Sequence, residues 1–191
     1  MTPPAADRGD GDLVARAMAG DDPAFAALVS RHKQALHRLV ARIIGDEDEA
    51  VDVVQDVFVA AHGALARYDP ARPLRAWLAR IAINKARDWR RRRLVRRLVS
   101  AVFPDNAAEI ADRGPAVDTV VAGRLELARV GAAMARLPAN LREVLVLRTV
   151  EGFSQAEAAQ ALGIVEKAVE TRLYRARQRL RIELDRDRGP A

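Results

Sequence analysis

Between Lys85 and Arg97 the sequence places eight basic residues against one acid, Asp88. They are Lys85, Arg87, Arg90, Arg91, Arg92, Arg93, Arg96 and Arg97. A solvated helix face normally mixes signs, so this run points to contact with phosphates. Trp77 and Trp89 fall in the same stretch. Trp77 has core spacing; Trp89 could either stack on a base or cover the edge of the core. A second charged group has the opposite sign. Asp46, Glu47, Asp48, Glu49, Asp52 and Asp56 put six acids into eleven residues with no basic one. The first four suit a helix N-terminus, where the dipole favours acids. Asp52 and Asp56 lie deeper and one turn apart, where like charges cost about 0.2–0.5 kcal/mol. They point to an acidic face made for a partner. A third group, Lys167, Glu170, Thr171, Arg172, Arg175, Arg177, Arg179 and Arg181, shares the outer face of one helix near the C-terminus.

The totals limit the chemistry. With 32 basic and 26 acidic residues the net charge is +6, and nucleic acid is the commonest acidic partner of a basic chain. Only Lys33, Lys85 and Lys167 are lysines. Arginine offers a planar fork suited to phosphates and guanine edges, although a GC-rich genome also enriches Arg and Ala. The absence of cysteine excludes disulfides and cysteine-ligated zinc. His32, His37 and His62 show no metal-binding spacing, so no metal is expected. There is no Gly-rich phosphate loop and no nucleophile–base pair, so neither an enzyme, nor a cofactor, nor a small-molecule substrate is expected. The N-terminal segment Met1–Asp12 lacks an apolar signal core, and no apolar run reaches membrane-spanning length. The expected location is cytoplasmic.

These groups must be held by helices. Half of the residues are hydrophobic but only 4% are aromatic, which describes a core of Ala, Leu, Val and Ile. Alternating β-branched runs are scarce, so the expected fold is all-α: two helical domains joined by a flexible linker, the second a helix-turn-helix. The first domain spans 12–98. A short helix over Leu13–Ala19 ends at Gly20. Asp22 caps a second helix with Pro23 at its first position, and Gly45 ends it. Asp46 and Glu49 form a capping box for a third helix, whose stripe is Val53, Val54, Val57, Phe58, Ala61 and Leu65. The two prolines of Arg67–Pro73 make a loop. A fourth helix runs from Leu74 to about Leu98. A linker, 99–117, precedes the second domain, 118–187, which is helical with breaks at Pro138, Gly152 and Gly163.

Within the second domain Ser154 and Glu157 form another capping box. A short helix, Gln155–Leu162, turns Ala158, Ala159 and Leu162 inward, and Gly163 makes a tight turn. Ile164 plugs the core, and a basic helix follows from about Glu166 with Val169, Leu173, Ala176 and Leu180 inward. Helix, glycine turn and Arg-rich helix is the layout that sets a recognition helix in the major groove.

Three segments together resemble a bacterial sigma factor of the extracytoplasmic-function group. Asp52-Val-Val-Gln-Asp-Val-Phe58 is similar to its polymerase-binding segment. Arg75-Ala-Trp-Leu-Ala-Arg-Ile-Ala-Ile-Asn-Lys-Ala-Arg-Asp88 is similar to its promoter-melting and −10-reading helix. Leu137-Pro138 through Leu180 resembles its −35-reading domain. The resemblance implies a protein that binds core RNA polymerase and promoter DNA, recognises −10 and −35 elements, and helps open the duplex. It places Asp52, Gln55 and Asp56 against polymerase. It places Asn84 on a −10 base, and Tyr68 in a loop that receives a flipped base, with Lys85, Arg87, Arg90 and Arg91 beside them. Arg148, Thr171 and Arg175 match −35 contacts, in company with Lys167, Glu170 and Arg172. Two positions depart from the pattern: Val165 lacks the usual polar cap, and Glu170 stands where a basic residue is common. Such proteins are commonly held inactive by an anti-sigma factor, often membrane-anchored. A stand-alone helix-turn-helix regulator is the competing expectation, and it would leave the acidic helix and the Lys85–Arg97 run unused.

Overall fold

The computed structural model describes residues 9–102 and 122–187. Among them there are eight α-helices and no strand: α1 Asp10–Met18, α2 Asp22–Ile44, α3 Glu47–Ala64, α4 Leu74–Val102, α5 Ala122–Ala135, α6 Ala139–Leu145, α7 Gln155–Leu162 and α8 Glu166–Arg186. The all-α expectation holds. Of the expected linker, 99–102 continue α4 as helix and the remainder lies outside the described residues, as do 118–121 and the ends of the chain.

Local chemistry explains most boundaries. The Asp21 carboxylate, one residue earlier than expected, accepts from Ala24 N–H at 3.1 Å and caps α2. Gly45 closes that helix at φ 78°, a left-handed geometry in which a Cβ is strained. Asp46 caps α3 by accepting from Glu49 N–H at 3.1 Å. The expected reciprocal bond does not form, because the Glu49 carboxylate accepts instead from the Trp89 indole N–H at 2.8 Å. After α3 the chain tightens into a 3₁₀ turn, Leu65–Arg67, and enters the proline loop.

Helices α1 to α4 bury Leu13, Leu39, Val40, Ile43, Val57 and Ile83 almost completely. Burying each such side chain contributes about 1.5–3 kcal/mol. This core does not stop at the end of the first domain. Val144, Val146, Leu147, Phe153, Ala158 and Val169 belong to the same continuous cluster. Helix α7 lies along α4. The small buried residues Ala158, Ala159 and Ala161 on α7, with Ala76, Ala79, Ala82 and Ala86 on α4, permit the two axes to come close. A smaller cluster of Leu137, Leu145 and Ala176 joins α6 to α8. No helix among the described residues is long and apolar enough to cross a membrane.

Candidate nucleic-acid interface

Three surfaces collect the candidate residues. The first is the outer ridge of α3. Ala50, Val53, Val54, Val57 and Ala61 turn inward. Helical periodicity therefore leaves Asp52, Gln55 and Asp56 exposed together. The ridge is less purely acidic than expected. Val51 and Val59 flank it, and Val59 is 74% exposed. The signal was in the spacing: 51, 55 and 59 make a row of their own, outside the inward stripe. An apolar residue beside carboxylates suits a protein partner better than solvent.

The second surface is α4 with the loop before it. Asn84 and Arg91 are exposed, while Lys85, Arg87 and Arg90 are half-buried. The cationic run is partly neutralised from within. Arg93 pairs with Asp46 at 3.0 Å, Arg91 with Asp88 at 3.0 Å, and Arg92 reaches Asp56 at 3.9 Å. Burial pushes the Asp46 carboxyl up, but the Glu49 N–H and the Arg93 guanidinium more than offset this and hold it below its ordinary value. Trp89 is buried with its N–H on Glu49, and the Arg93 guanidinium lies 4.9 Å above its ring. The open alternative for Trp89 thus resolves toward covering the core edge. Tyr68 is only 6% exposed. Its ring packs 4.9 Å from that of Trp77 and its hydroxyl donates to Arg72 C=O. Burial, then Asp69 and Asp10, push the phenol pKa up. In this conformation the Tyr68 ring fills its loop.

The third surface is the helix-turn-helix. Both halves of the Ser154–Glu157 capping box are present, at 3.1 Å and 2.7 Å. The Ser154 backbone and hydroxyl hydrogen bonds hold the Glu157 carboxyl below its ordinary value. Gly163 turns at φ 67° into α8. Val165 precedes α8 in extended geometry with no side-chain cap, as expected. Lys167, Glu170, Thr171 and Arg175 are exposed and Arg172 is half-buried. Lys167 pairs with Glu170 at 2.8 Å, and the Thr171 hydroxyl donates to Lys167 C=O at 2.9 Å. Tyr174, not singled out from the sequence, stands between Thr171 and Arg175 and is 66% exposed. Its signal was an aromatic on an otherwise polar face. Arg148 stands apart from this row. It is half-buried and donates to Phe153 C=O.

A set of contacts with no sequence signature ties the two helical domains together. Arg87 on α4 donates to both oxygens of Glu143 on α6, Nε to Oε1 at 2.9 Å and Nη2 to Oε2 at 2.6 Å. That bond, opposed by burial, raises the Arg87 pKa. Arg42 pairs with Glu151 at 2.9 Å. The Arg75 guanidinium lies 4.0 Å over the Phe153 ring and donates to Glu151 C=O. In return the buried Arg142 of α6 donates to Ile43 C=O of α2 at 2.8 Å, and to Leu137 C=O at 3.0 Å. Burial and the nearby Arg90 lower its pKa to about 10. Among the described residues, no cluster of three or more His, Asp or Glu is placed to hold a metal ion.

Comparison with known proteins agrees with this geometry. Residues 28–107 match the family model for Sigma-70 region 2, and 127–180 the model for Sigma-70, region 4. The chain is 46% identical to RNA polymerase sigma factor CnrH of Cupriavidus metallidurans, over 98% of both chains. It is 36% identical to the ECF RNA polymerase sigma factor SigM of Mycobacterium tuberculosis, over 91% of this chain and 84% of that one. Among solved structures it resembles CnrH in complex with the cytosolic domain of CnrY, with TM-score 0.69 and 43% identity over 93% of this chain and 98% of that one. It also resembles the sigma factor RpoE bound to the anti-sigma factor NepR from Bartonella quintana, with TM-score 0.66 and 26% identity over 84% and 96%.

Proposed function

Because the chain belongs to the sigma-70 family of RNA polymerase sigma factors, in its extracytoplasmic-function group, we propose specific roles for its three surfaces in transcription initiation. Asp52, Gln55 and Asp56, with Val51 and Val59, dock on core polymerase. Asn84, Lys85, Arg87, Arg90, Arg91 and Tyr68 engage the −10 element and its unpaired strand. Arg148, Lys167, Glu170, Thr171, Arg172 and Arg175 engage the −35 element. The domain division is 12–98 and 118–187 around the linker 99–117. An anti-sigma factor holds the protein inactive in the cytoplasm, as the complexes of its structural relatives with CnrY and NepR suggest.

The observation that carries these roles is the exposed α3 ridge on the same chain as two arginine-rich helices, α4 and α8. A stand-alone regulator would use only the helix-turn-helix. The test is transcription from a promoter library by core polymerase with and without the protein. Promoter-specific initiation requires both components, and Asp56→Arg weakens polymerase binding about tenfold, which corresponds to about 1.4 kcal/mol. Operator binding without polymerase, with no transcripts, would instead favour the stand-alone regulator.

A further inference from the structure

We propose that the distal half of α4 is a docking surface for an anionic lipid bilayer, with Leu94 and Val95 entering the headgroup boundary and the flanking arginines pairing with lipid phosphates. This role goes beyond promoter reading and does not depend on it.

The stretch from Arg90 to Arg97 holds six arginines, two aliphatic residues and no acid. Helix α4 runs through it without a break. Leu94 is 59% exposed and Val95 54%. A single exposed aliphatic residue is ordinary on a protein surface, but an adjacent pair ringed by arginines is not. In the sequence the pair recurs four positions on, as Leu98-Val99.

The other face of the helix fixes where this pair points. The Trp89 indole donates to Glu49 at 2.8 Å and Arg93 pairs with Asp46 at 3.0 Å, which pins that side to the start of α3. Successive residues turn about 100° around a helix. Leu94 is therefore about a quarter-turn from Arg93, and Val95 and Arg91 lie nearly opposite it. Arg91 precedes Leu94 by three positions and Val95 by four, so the three side chains form one patch. The Arg91 side chain is 76% exposed and Arg92 beside it 62%, and Arg96 is exposed as well. The acids that face these arginines are Asp88, 3.0 Å from Arg91, and Asp56, 3.9 Å from Arg92. Both are surface pairs that give way readily to a phosphate.

One partner has to satisfy cations and aliphatics together. A DNA duplex offers phosphates to the arginines but meets Leu94 and Val95 with little beyond thymine methyl groups. A protein would need acids and an apolar pocket in register with both. An anionic bilayer presents phosphates above acyl chains at every point, so no register is required. Arginine stems lie along such an apolar boundary while their heads reach the phosphates. Aliphatic residues set among cations are the mark of helices that lie in this interface, and each arginine near anionic lipid adds to the attraction.

Cosedimentation of the free full-length protein with vesicles tests the assignment. Vesicles of phosphatidylcholine mixed with phosphatidylglycerol are expected to carry the protein down, and vesicles of phosphatidylcholine alone are not. Leu94→Gln combined with Val95→Gln keeps the charge and good helix formers. It should lower affinity for the mixed vesicles about tenfold and leave affinity for a mixed-sequence DNA duplex unchanged. The chain has no cysteine, so Val95→Cys can carry a polarity-sensitive dye. Its emission should shift to the blue on mixed vesicles, while the same dye at Gln178→Cys, exposed on α8, keeps the emission it has in water. The dye pair carries the test should the double variant lose helical circular dichroism. The assignment is overturned if mixed vesicles leave the protein in solution, or if the dye at position 95 stays in water. It is equally overturned if the folded double variant binds vesicles as tightly as the unmodified chain, which means adsorption by charge alone, or loses duplex affinity instead, which makes the pair a DNA contact. Neither assay contains polymerase or promoter, so either result leaves the sigma-factor roles to stand or fall separately.

Discussion

The −35 role proposed for Glu170 can be tested by a single substitution on an exposed position of α8. Glu170 is exposed on the outer face of α8 and is held by Lys167 at 2.8 Å, a pair in which both side chains are more than half exposed. Such pairs contribute at most about 1 kcal/mol, so DNA can separate them at little cost. A freed glutamate accepts from the amino group of cytosine, whereas an arginine in its place donates to guanine. Glu170→Arg is therefore expected to change the preferred −35 base while keeping overall affinity within about tenfold. Transcription from a library randomised across the −35 element reads this directly, and an unchanged preference would refute the assignment. Neighbouring Thr171 already spends its hydroxyl proton on Lys167 C=O, so toward DNA it offers its acceptor lone pairs and its methyl group.

Helix ends carry the next scale of prediction. Val165 sits at the start of α8 in the extended geometry of a capping residue, without a side chain that can cap. Val165→Ser supplies the missing acceptor and should stabilise the protein by about 1 kcal/mol, seen as a rise of roughly 2–4 °C in Tm. The starts of two other helices, α3 and α7, predict the acid limb. The Asp46 and Glu157 carboxyls both lie below their ordinary values of 3.8 and 4.5. A depressed carboxyl contributes stability that is complete above its unfolded pKa and is lost as pH falls through the lower folded one. Denaturant unfolding should therefore show stability level above about pH 5 and declining below it, with a shallower decline in Ser154→Ala. The caps were legible in the sequence because each is a local pattern of three or four residues. Two shifted for reasons that local patterns do not contain. Asp21, not Asp22, caps α2, since either aspartate satisfies the pattern before Pro23. Glu49 abandons its capping box for the Trp89 indole, forty positions away in sequence. The helices and their inward stripes followed from periodicity, and so did the exposure of Asp52, Gln55, Asp56 and most of the α8 row.

At the scale of the whole molecule the sequence was silent about how the two halves meet. Their contacts join residues up to 109 positions apart, and arginines that pair with carbonyls or lone glutamates leave no period behind. Arg87 and Arg148 were legible as cations, but their partners here, Glu143 and Phe153 C=O, were not. The continuous core makes the consequence testable. Shared burial couples α1–α4 to α6–α8, so the full chain should unfold in a single cooperative transition. Arg142 is the residue on which that coupling leans most. It is buried, and its guanidinium satisfies Ile43 C=O across the junction as well as Leu137 C=O and Ala135 C=O at the end of α5. Arg142→Met keeps the apolar volume of the stem but leaves these carbonyls without a donor, at a cost on the order of 3 kcal/mol. The loss falls at the junction, not inside either half. Scanning calorimetry of the variant should therefore show the single transition lowered by roughly 6–12 °C and broadened or split in two. A single sharp transition at the original temperature would mean that the two halves are joined by apolar packing alone.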